Sequence, residues 1–148
     1  SAQQMHDAVL TALPADIYIG AAAVADYRPA KYASIKIKKQ NDDDGLVLEL
    51  EQTKDILKVV ANHARRPGIV CGFAAETHDV IAHATAKRAR KGADWIIANN
   101  VSGDVMGGDA NAVHLIHADG VESWETLPKA AVAERLAARI AVALTPAT

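Results

Sequence analysis

Lys87 and Lys91 stand four residues apart, with Arg88 and Arg90 between them, a spacing that sets two side chains on one helical face. Two ammonium groups on one face neutralise a polyphosphate. Cations near a helix C-terminus are also favoured by the helix dipole alone. A second basic run, Lys36-Ile37-Lys38-Lys39, turns Lys36 and Lys38 to one side of an extended strand and Ile37 and Lys39 to the other. Beside the acidic tip Asn41-Asp42-Asp43-Asp44-Gly45 it is either a flap that lays an ammonium over phosphate or an edge strand guarded by lysines. Asp26 follows the small residues from Gly20 to Ala25, over which a ligand can approach the backbone closely. Its carboxylate suits a ribose hydroxyl, a metal ion, or the hydrogen bonds of a turn. Phe73, the single phenylalanine, can stack on a base or fill the core.

Other chemistries find less support. The histidines His6, His63, His78, His83, His114 and His117 fall into no ligand spacing: His114 and His117 face opposite sides of a strand, and His78 and His83 are five apart on a helix. Cys71, mid-strand, is most simply a buried small hydrophobe. No Ser-His-Asp or Cys-His arrangement is legible, and neither GxGxxG nor GxxxxGK[ST] occurs. The basic and small-residue segments together favour an anionic, nucleotide-like ligand without naming a reaction.

The elements that must position these residues follow from periodicity. Ala2 to Leu13 places Met5, Val9, Leu10 and Leu13 near one helical face. Ile17 to Val24 has the unbroken apolar character of a strand covered on both faces, and Asp26 to Ser34 has that of a loop. Ile35–Lys39 and Leu46–Leu50 form the arms of a hairpin. Thr53 caps a helix with Ile56, Leu57, Val59 and Val60 on its apolar side. After Pro67-Gly68 come a buried strand at Ile69–Ala74, a helix from Asp79 to Lys91 stopped by Gly92, and a third strand at Trp95–Ala98. Asn99 to Asn111 is loop. Ala112–His117 and Val121–Glu125 pair about Asp119-Gly120, and Pro128 opens a closing helix through Leu144. Helices alternating with buried strands predict an α/β sandwich on a parallel sheet. In such sheets ligands sit beyond the carboxyl ends of the strands. Those ends are Val24–Arg28, Phe73–Thr77, Asn99–Val101 and the loop through Gly107–Asn111.

Composition bounds the classes. The chain has 148 residues, 50% hydrophobic and 23% charged, with 9 Gly and 5 Pro, which fits one folded domain and excludes a disordered or collagen-like chain. A formal net charge of −2 and 4% aromatic content give little surface for tracking a nucleic acid. One cysteine forms no internal disulfide, which suits a reducing cytoplasm. No apolar run approaches the ~20 residues of a bilayer span, and no signal peptide opens the chain.

Taken in order, Gly20 to Pro29, Lys36 to Lys39, Thr53 to Leu57, Gly72 to Thr77, Lys87 to Lys91, Asp94 to Val101 and Asp109 to Asn111 resemble phosphopantothenate–cysteine ligase. In many bacteria this enzyme is the C-terminal half of a bifunctional coenzyme A biosynthesis flavoprotein. The resemblance implies a Rossmann-like fold with a flap hairpin, and a cytoplasmic homodimer. It also implies a two-step ligation of 4′-phosphopantothenate to cysteine through an acyl-cytidylate made from CTP, with Mg²⁺ assisting. FMN enters only if a decarboxylase half is attached. Carried across by motif, Gly20, Ala21, Ala22 and Asp26 belong to the CTP site, with Asp26 also the candidate metal ligand. Lys36 is the flap lysine acting on the acyl-cytidylate step. Lys54, Asp55, Ile56, Leu57, Phe73, Lys87 and Lys91 complete the nucleotide contacts.

Two departures stand out. Thr53-Lys54-Asp55-Ile56 has lysine where bacterial members commonly carry proline. The family's N-terminal glycine turn and Ser-Asn-x-Ser-Ser-Gly segment, with its proposed catalytic asparagine, are not in this sequence. Residues 1–148 are therefore expected to form the C-terminal portion of a larger CTP-binding ligase domain. Such a piece is expected to make no product alone and to cover exposed sheet by self-association. The competing readings are a nicotinamide-dependent oxidoreductase on a similar sheet and a non-catalytic nucleotide- or RNA-binding module using the two lysine clusters.

Overall fold

The structure, a computed structural model, describes residues 1–31, 33–35, 38, 45–101 and 110–145. Helix α1 (Ala2–Thr11) opens on a capping box: the Ser1 hydroxyl accepts from the Gln4 backbone, and the Gln4 side chain accepts from the Ser1 amino group. Then come β1 (Ile17–Gly20), β2 (Tyr27–Pro29), β3 (Leu50–Gln52), α2 (Ile56–Ala61) and β4 (Ile69–Glu76). The chain continues through α3 (Val80–Lys91), β5 (Trp95–Asn100), β6 (Ala110–His117), β7 (Gly120–Pro128) and α4 (Lys129–Leu144). Five strands form one sheet in the order β1-β4-β5-β6-β7. β1, β4 and β5 run parallel, while β6 and β7 extend the sheet antiparallel. The expected α/β architecture with a parallel core is the one that forms.

Strand periodicity distributes the core. Val70, Ala74, Ile96 and Ala98 pack with Ile56, Val60 and Ala84 beneath α2 and α3, and Met5 and Val9 of α1 join them. Their neighbours Ile69, Cys71, Trp95 and Ile97 face the other way, onto Leu136 and Ile140 of α4. β4 is buried on both faces, which explains its continuous apolar run. Cys71 has no exposed surface; burial, and secondarily the Asp94 carboxylate, push its thiol up to about 12. Gly72 is required by a close approach: a Cβ there would stand 2.5 Å from Leu57 Cδ2 and 3.1 Å from Ile96 Cδ1. α3 ends where Gly92 turns left-handed (φ 73°), as expected of a glycine stop.

Four expectations require correction. The first strand does not run to Val24. β1 ends at Gly20, pairs with β4 alone among the described residues, and leaves Ile19 45% exposed. Its apolar character past Gly20 comes from small residues that turn off the sheet. Beside Ile17 and Ile19 an apolar trough of about 800 Å³ lies between the sheet and α4, walled by Val132, Leu136 and Ile140.

Second, half of the hairpin expected across residues 35–50, with Lys36 and the acidic tip as far as Asp44, lies outside the described residues. Within them, 46–49 are not strand; the pairing joins Tyr27–Pro29, expected as loop, to Leu50–Gln52. Charge pairs Arg28–Glu51 and Lys31–Glu49 cross this ribbon, and the Ala30 and Thr53 amides close its ends. Third, Thr53 does not cap α2; Asp55 does, accepting from the Lys58 amide. Finally, Asn99 and Asn100 belong to β5 and Ala110 and Asn111 to β6, so the loop between those strands is shorter at both ends than Asn99–Asn111.

The Gly72 contact can be measured. Overpacking costs ~1–3 kcal/mol, whereas a Gly→Ala change gains only ~0.4–1 kcal/mol from a stiffer unfolded chain, so Gly72→Ala should be net destabilising in urea unfolding. Adding Leu57→Ala should give a combined penalty smaller than the sum of the two single changes. Additive penalties would show that the two residues do not compete for one space.

Candidate functional site

A cavity of about 440 Å³ opens where β1, β4 and β5 end and faces α2 and α3. The stretches 18–26 and 53–57, the ends of β4 and β5, α3 and Met5 of α1 build it. From β1 come Gly20, Ala21 and Ala22, followed by Ala23 and Val24. The Tyr18 ring lies over the turn, since a Cβ on Gly20 would stand 3.0 Å from Tyr18 Cε1. Burial raises the Tyr18 hydroxyl above its usual value, with the Asp55 charge adding to the effect.

The segment bearing Asp26 is tied to the one entering α2. The Thr53 amide donates to the Asp26 carbonyl (2.9 Å) and the Thr53 hydroxyl to the Ala25 carbonyl (2.6 Å). These bonds hold the exposed Asp26 opposite Lys54, Asp55, Ile56 and Leu57 on the cavity wall. Asp55 does two things at once. One carboxylate oxygen accepts from the Lys58 amide (3.1 Å) as the α2 cap, and the other pairs with the Lys91 ammonium. Burial opposes its ionisation, but Lys91 and the Lys58 amide outweigh that and hold the carboxyl below its usual range.

Lys87 lies one turn before Lys91 on α3 and donates to the Phe73 carbonyl at 2.8 Å. An ammonium has three donors, so, counting the described residues, two remain for a ligand. Burial lowers the Lys87 pKa first and the neighbouring Lys91 charge second, with Glu76 and Asp26 pulling the other way. An anion here relieves both the lost hydration and the repulsion. Asn62 braces the pair from below: its amide donates to the Lys58 carbonyl (2.7 Å) and the Lys91 carbonyl (3.1 Å), joining the ends of α2 and α3.

The structure therefore brings Gly20, Ala21, Ala22, Asp26, Lys54, Asp55, Ile56, Leu57, Phe73, Lys87 and Lys91 around one cavity. Lys36 lies outside the described residues; Lys38 is described and exposed. Arg88 turns away, toward the Ala93 carbonyl. Phe73 is shared: it borders this cavity and the apolar trough, its side chain packing on the α4 side of the sheet. Ala75 and Asn99 line the wall from the strand ends where ligands were expected. Met5, Tyr18 and Thr53 were not foreseen there. Strand alternation carries the signal for Tyr18, which shares a face with Gly20, whereas the place of Thr53 depends on a partner 28 residues away.

An α/β sheet with a small-residue turn leaving its edge strand and a lysine pair facing that turn places the chain among α/β domains with a cationic cavity at the strand ends. The particular family follows from comparison. This chain belongs to the DNA/pantothenate metabolism flavoprotein C-terminal domain family, whose model matches residues 1–144. It is 42% identical over 135 residues to the coenzyme A biosynthesis bifunctional protein CoaBC of Vibrio parahaemolyticus, covering 86% of this chain and 34% of that protein. It is 44% identical over 123 residues to the Bacillus subtilis CoaBC, covering 81% and 30%. The chain thus spans about a third of the length of the curated relatives it matches. A crystal structure of the C-terminal domain of CoaBC superposes with a TM-score of 0.76 at 35% identity, covering 97% of this chain and 63% of that one. These matches agree with the ligase family resemblance carried by the sequence motifs.

The lysine pair predicts contrasting behaviour. Asp55 titrates below its unfolded value of 3.8, so its stabilisation is complete above that value and is lost as pH falls through the folded one. Asp55→Asn, which keeps the cap, should flatten the fall in melting temperature between roughly pH 5 and pH 2. An unchanged acid limb would remove the pair from the stability account. For Lys87 the unfolded chain binds more protons just below 10.5, so burying its charge costs stability at neutral pH. Lys87→Met should melt no lower than the parent; a clear loss would make this lysine structural.

Proposed function

We propose that this domain carries the CTP-dependent joining of 4′-phosphopantothenate to cysteine in coenzyme A synthesis. The observation that carries the reading is the half-buried Lys87 beside the paired Lys91, facing the Gly20–Ala22 turn across one cavity. Family membership supports it.

In the first step a carboxylate oxygen of 4′-phosphopantothenate attacks the α-phosphorus of CTP. The bond to the bridging oxygen of the β-phosphate breaks, and pyrophosphate leaves with that electron pair. In the second step the cysteine amine attacks the acyl carbon, the amide forms with loss of a proton, and CMP departs. Charge builds on phosphate oxygens in the first step, where preorganised ammonium donors lower the barrier most. Lys87 offers its two remaining donors there, and Lys91, already held by Asp55, adds fixed positive charge. Main-chain groups of Gly20–Ala22 and near Phe73 read the cytosine edge, because a mismatched base leaves buried polar groups unpaired. Lys36 acts on the acyl-cytidylate step.

Among the described residues, Asp26 and Asp55 are the carboxylates on the cavity wall. Asp55 is engaged by Lys91 and Lys58, so Asp26 is the oxygen donor that fits Mg²⁺, an ion commonly held by one or two carboxylates together with substrate phosphates. When bound, Mg²⁺ supplies further neutralisation of the triphosphate. A cytoplasmic homodimer accompanies this reading. No helix among the described residues is long and apolar enough to cross a membrane.

Calorimetry on the chain should show CTP binding clearly tighter than ATP. Lys87→Gln should weaken CTP roughly tenfold or more, the worth of a charged hydrogen bond. In the ligase assay on the chain completed with the family's N-terminal segment, CMP release from CTP, 4′-phosphopantothenate and cysteine should fall far more in Lys36→Gln than CTP affinity does. Equal CTP and ATP affinities, or wild-type CTP binding in Lys87→Gln, would defeat the reading.

A further inference from the structure

On the rim where β4 passes into α3, two histidines and an aspartate converge. Five residues apart on one helix, His78 and His83 would point about 140° from one another. His78 instead precedes the helix, and its ring meets that of His83 edge-on, centroids 4.9 Å apart and planes at 81°. One ligand atom from each of His78, Asp79 and His83 lies within 4.8 Å of the others.

Each ring is also oriented by a neighbour at the same nitrogen. His78 Nδ1 lies 3.1 Å from Thr77 Oγ1, and His83 Nδ1 lies 3.5 Å from Glu76 Oε2. A carboxylate at Nδ1, as Glu76 offers His83, is a usual outer support of a metal-bound imidazole and leaves the other ring nitrogen to ligate. We infer that His78, Asp79 and His83 form a binding site for a divalent transition metal of the Zn²⁺, Co²⁺ or Ni²⁺ class.

The donor set decides the class. Two imidazoles with one carboxylate suit Zn²⁺ and its neighbours, whereas Mg²⁺ and Ca²⁺ take oxygen ligands. The positive end of the α3 dipole disfavours a cation held by charge alone. Coordination by nitrogen, with Asp79 and Glu76 supplying negative charge, overcomes that field. All three ligands are exposed, so small side-chain adjustments bring them to the ~2.0–2.2 Å bonds of a zinc centre, with water completing the tetrahedron. The site shares no residue with the cavity wall, although Glu76 follows Ala75 of that wall directly.

Calorimetric titration with Zn²⁺, and visible absorption with Co²⁺, test the site on the intact chain. One equivalent should bind in the micromolar range or tighter. His78→Ala and His83→Ala should each weaken it by at least about tenfold, and Glu76→Gln by about tenfold through the lost support of His83. His63→Ala should leave affinity unchanged. Melting curves recorded without metal should match the parent for His78→Ala and His83→Ala, since both residues are exposed. Absence of saturable binding up to millimolar Zn²⁺ would overturn the inference. So would unchanged affinity in either ligand-histidine variant.

Discussion

Two like charges one helical turn apart repel, and Lys87 and Lys91 stay together because each is held by an acceptor from another element. The Phe73 carbonyl on β4 takes one ammonium, and the Asp55 carboxylate at the start of α2 takes the other. The second contact works only if α2 begins where it does and lies close to α3. Gly72 lets α2 settle onto β4, Asn62 laces the ends of the two helices together, and Gly92 stops α3 just past Lys91. Half-buried positive charge then remains on one side of the cavity, poorly hydrated and partly compensated. An incoming polyanion meets donors already in position, so little reorganisation is left to oppose its charge.

β1 shows how few residues separate the two faces. Tyr18 and Gly20 look into the polar cavity, while Ile17 and Ile19 look into the trough under α4. The strict two-residue period makes a register slip ruinous, because it would exchange the two sets. Phe73 stands on the boundary: its ring belongs to the apolar side, and its carbonyl belongs to the lysine on the other.

Much of this was legible in the sequence where the cause was local. Gly92 after a basic helix end, Pro128 before α4 and the apolar runs of β4 and β5 each carry their own signal, and the structure places elements there. Legibility fails where a distant partner decides. Thr53 and Asp55 are both good helix caps, and the choice falls to Asp55 because the Thr53 hydroxyl is taken by Ala25, far away in the chain. The run Gly20–Val24 is apolar but small, and small residues suit a cavity wall as well as a strand. The β2–β3 ribbon joins segments over twenty residues apart through charge pairs that no window of local pattern contains. At the site, the residue set was reached through family resemblance. The carbonyl that anchors Lys87 is a main-chain group and leaves no mark in the sequence. The His78–His83 contact was hidden by counting both residues onto one helix.

Cys71, the only cysteine, sits in the middle of β4 between paired strands and has no exposed surface. A thiol reagent needs the thiolate and a path to it, and the folded chain offers neither. Fraying of α1, or separation of the β2–β3 ribbon, leaves β4 paired on both sides and the sulfur enclosed. Labelling must therefore wait for strand β4 itself to open, so its rate is a clock for the most cooperative unit of the fold, insensitive to the looser motions at its margins.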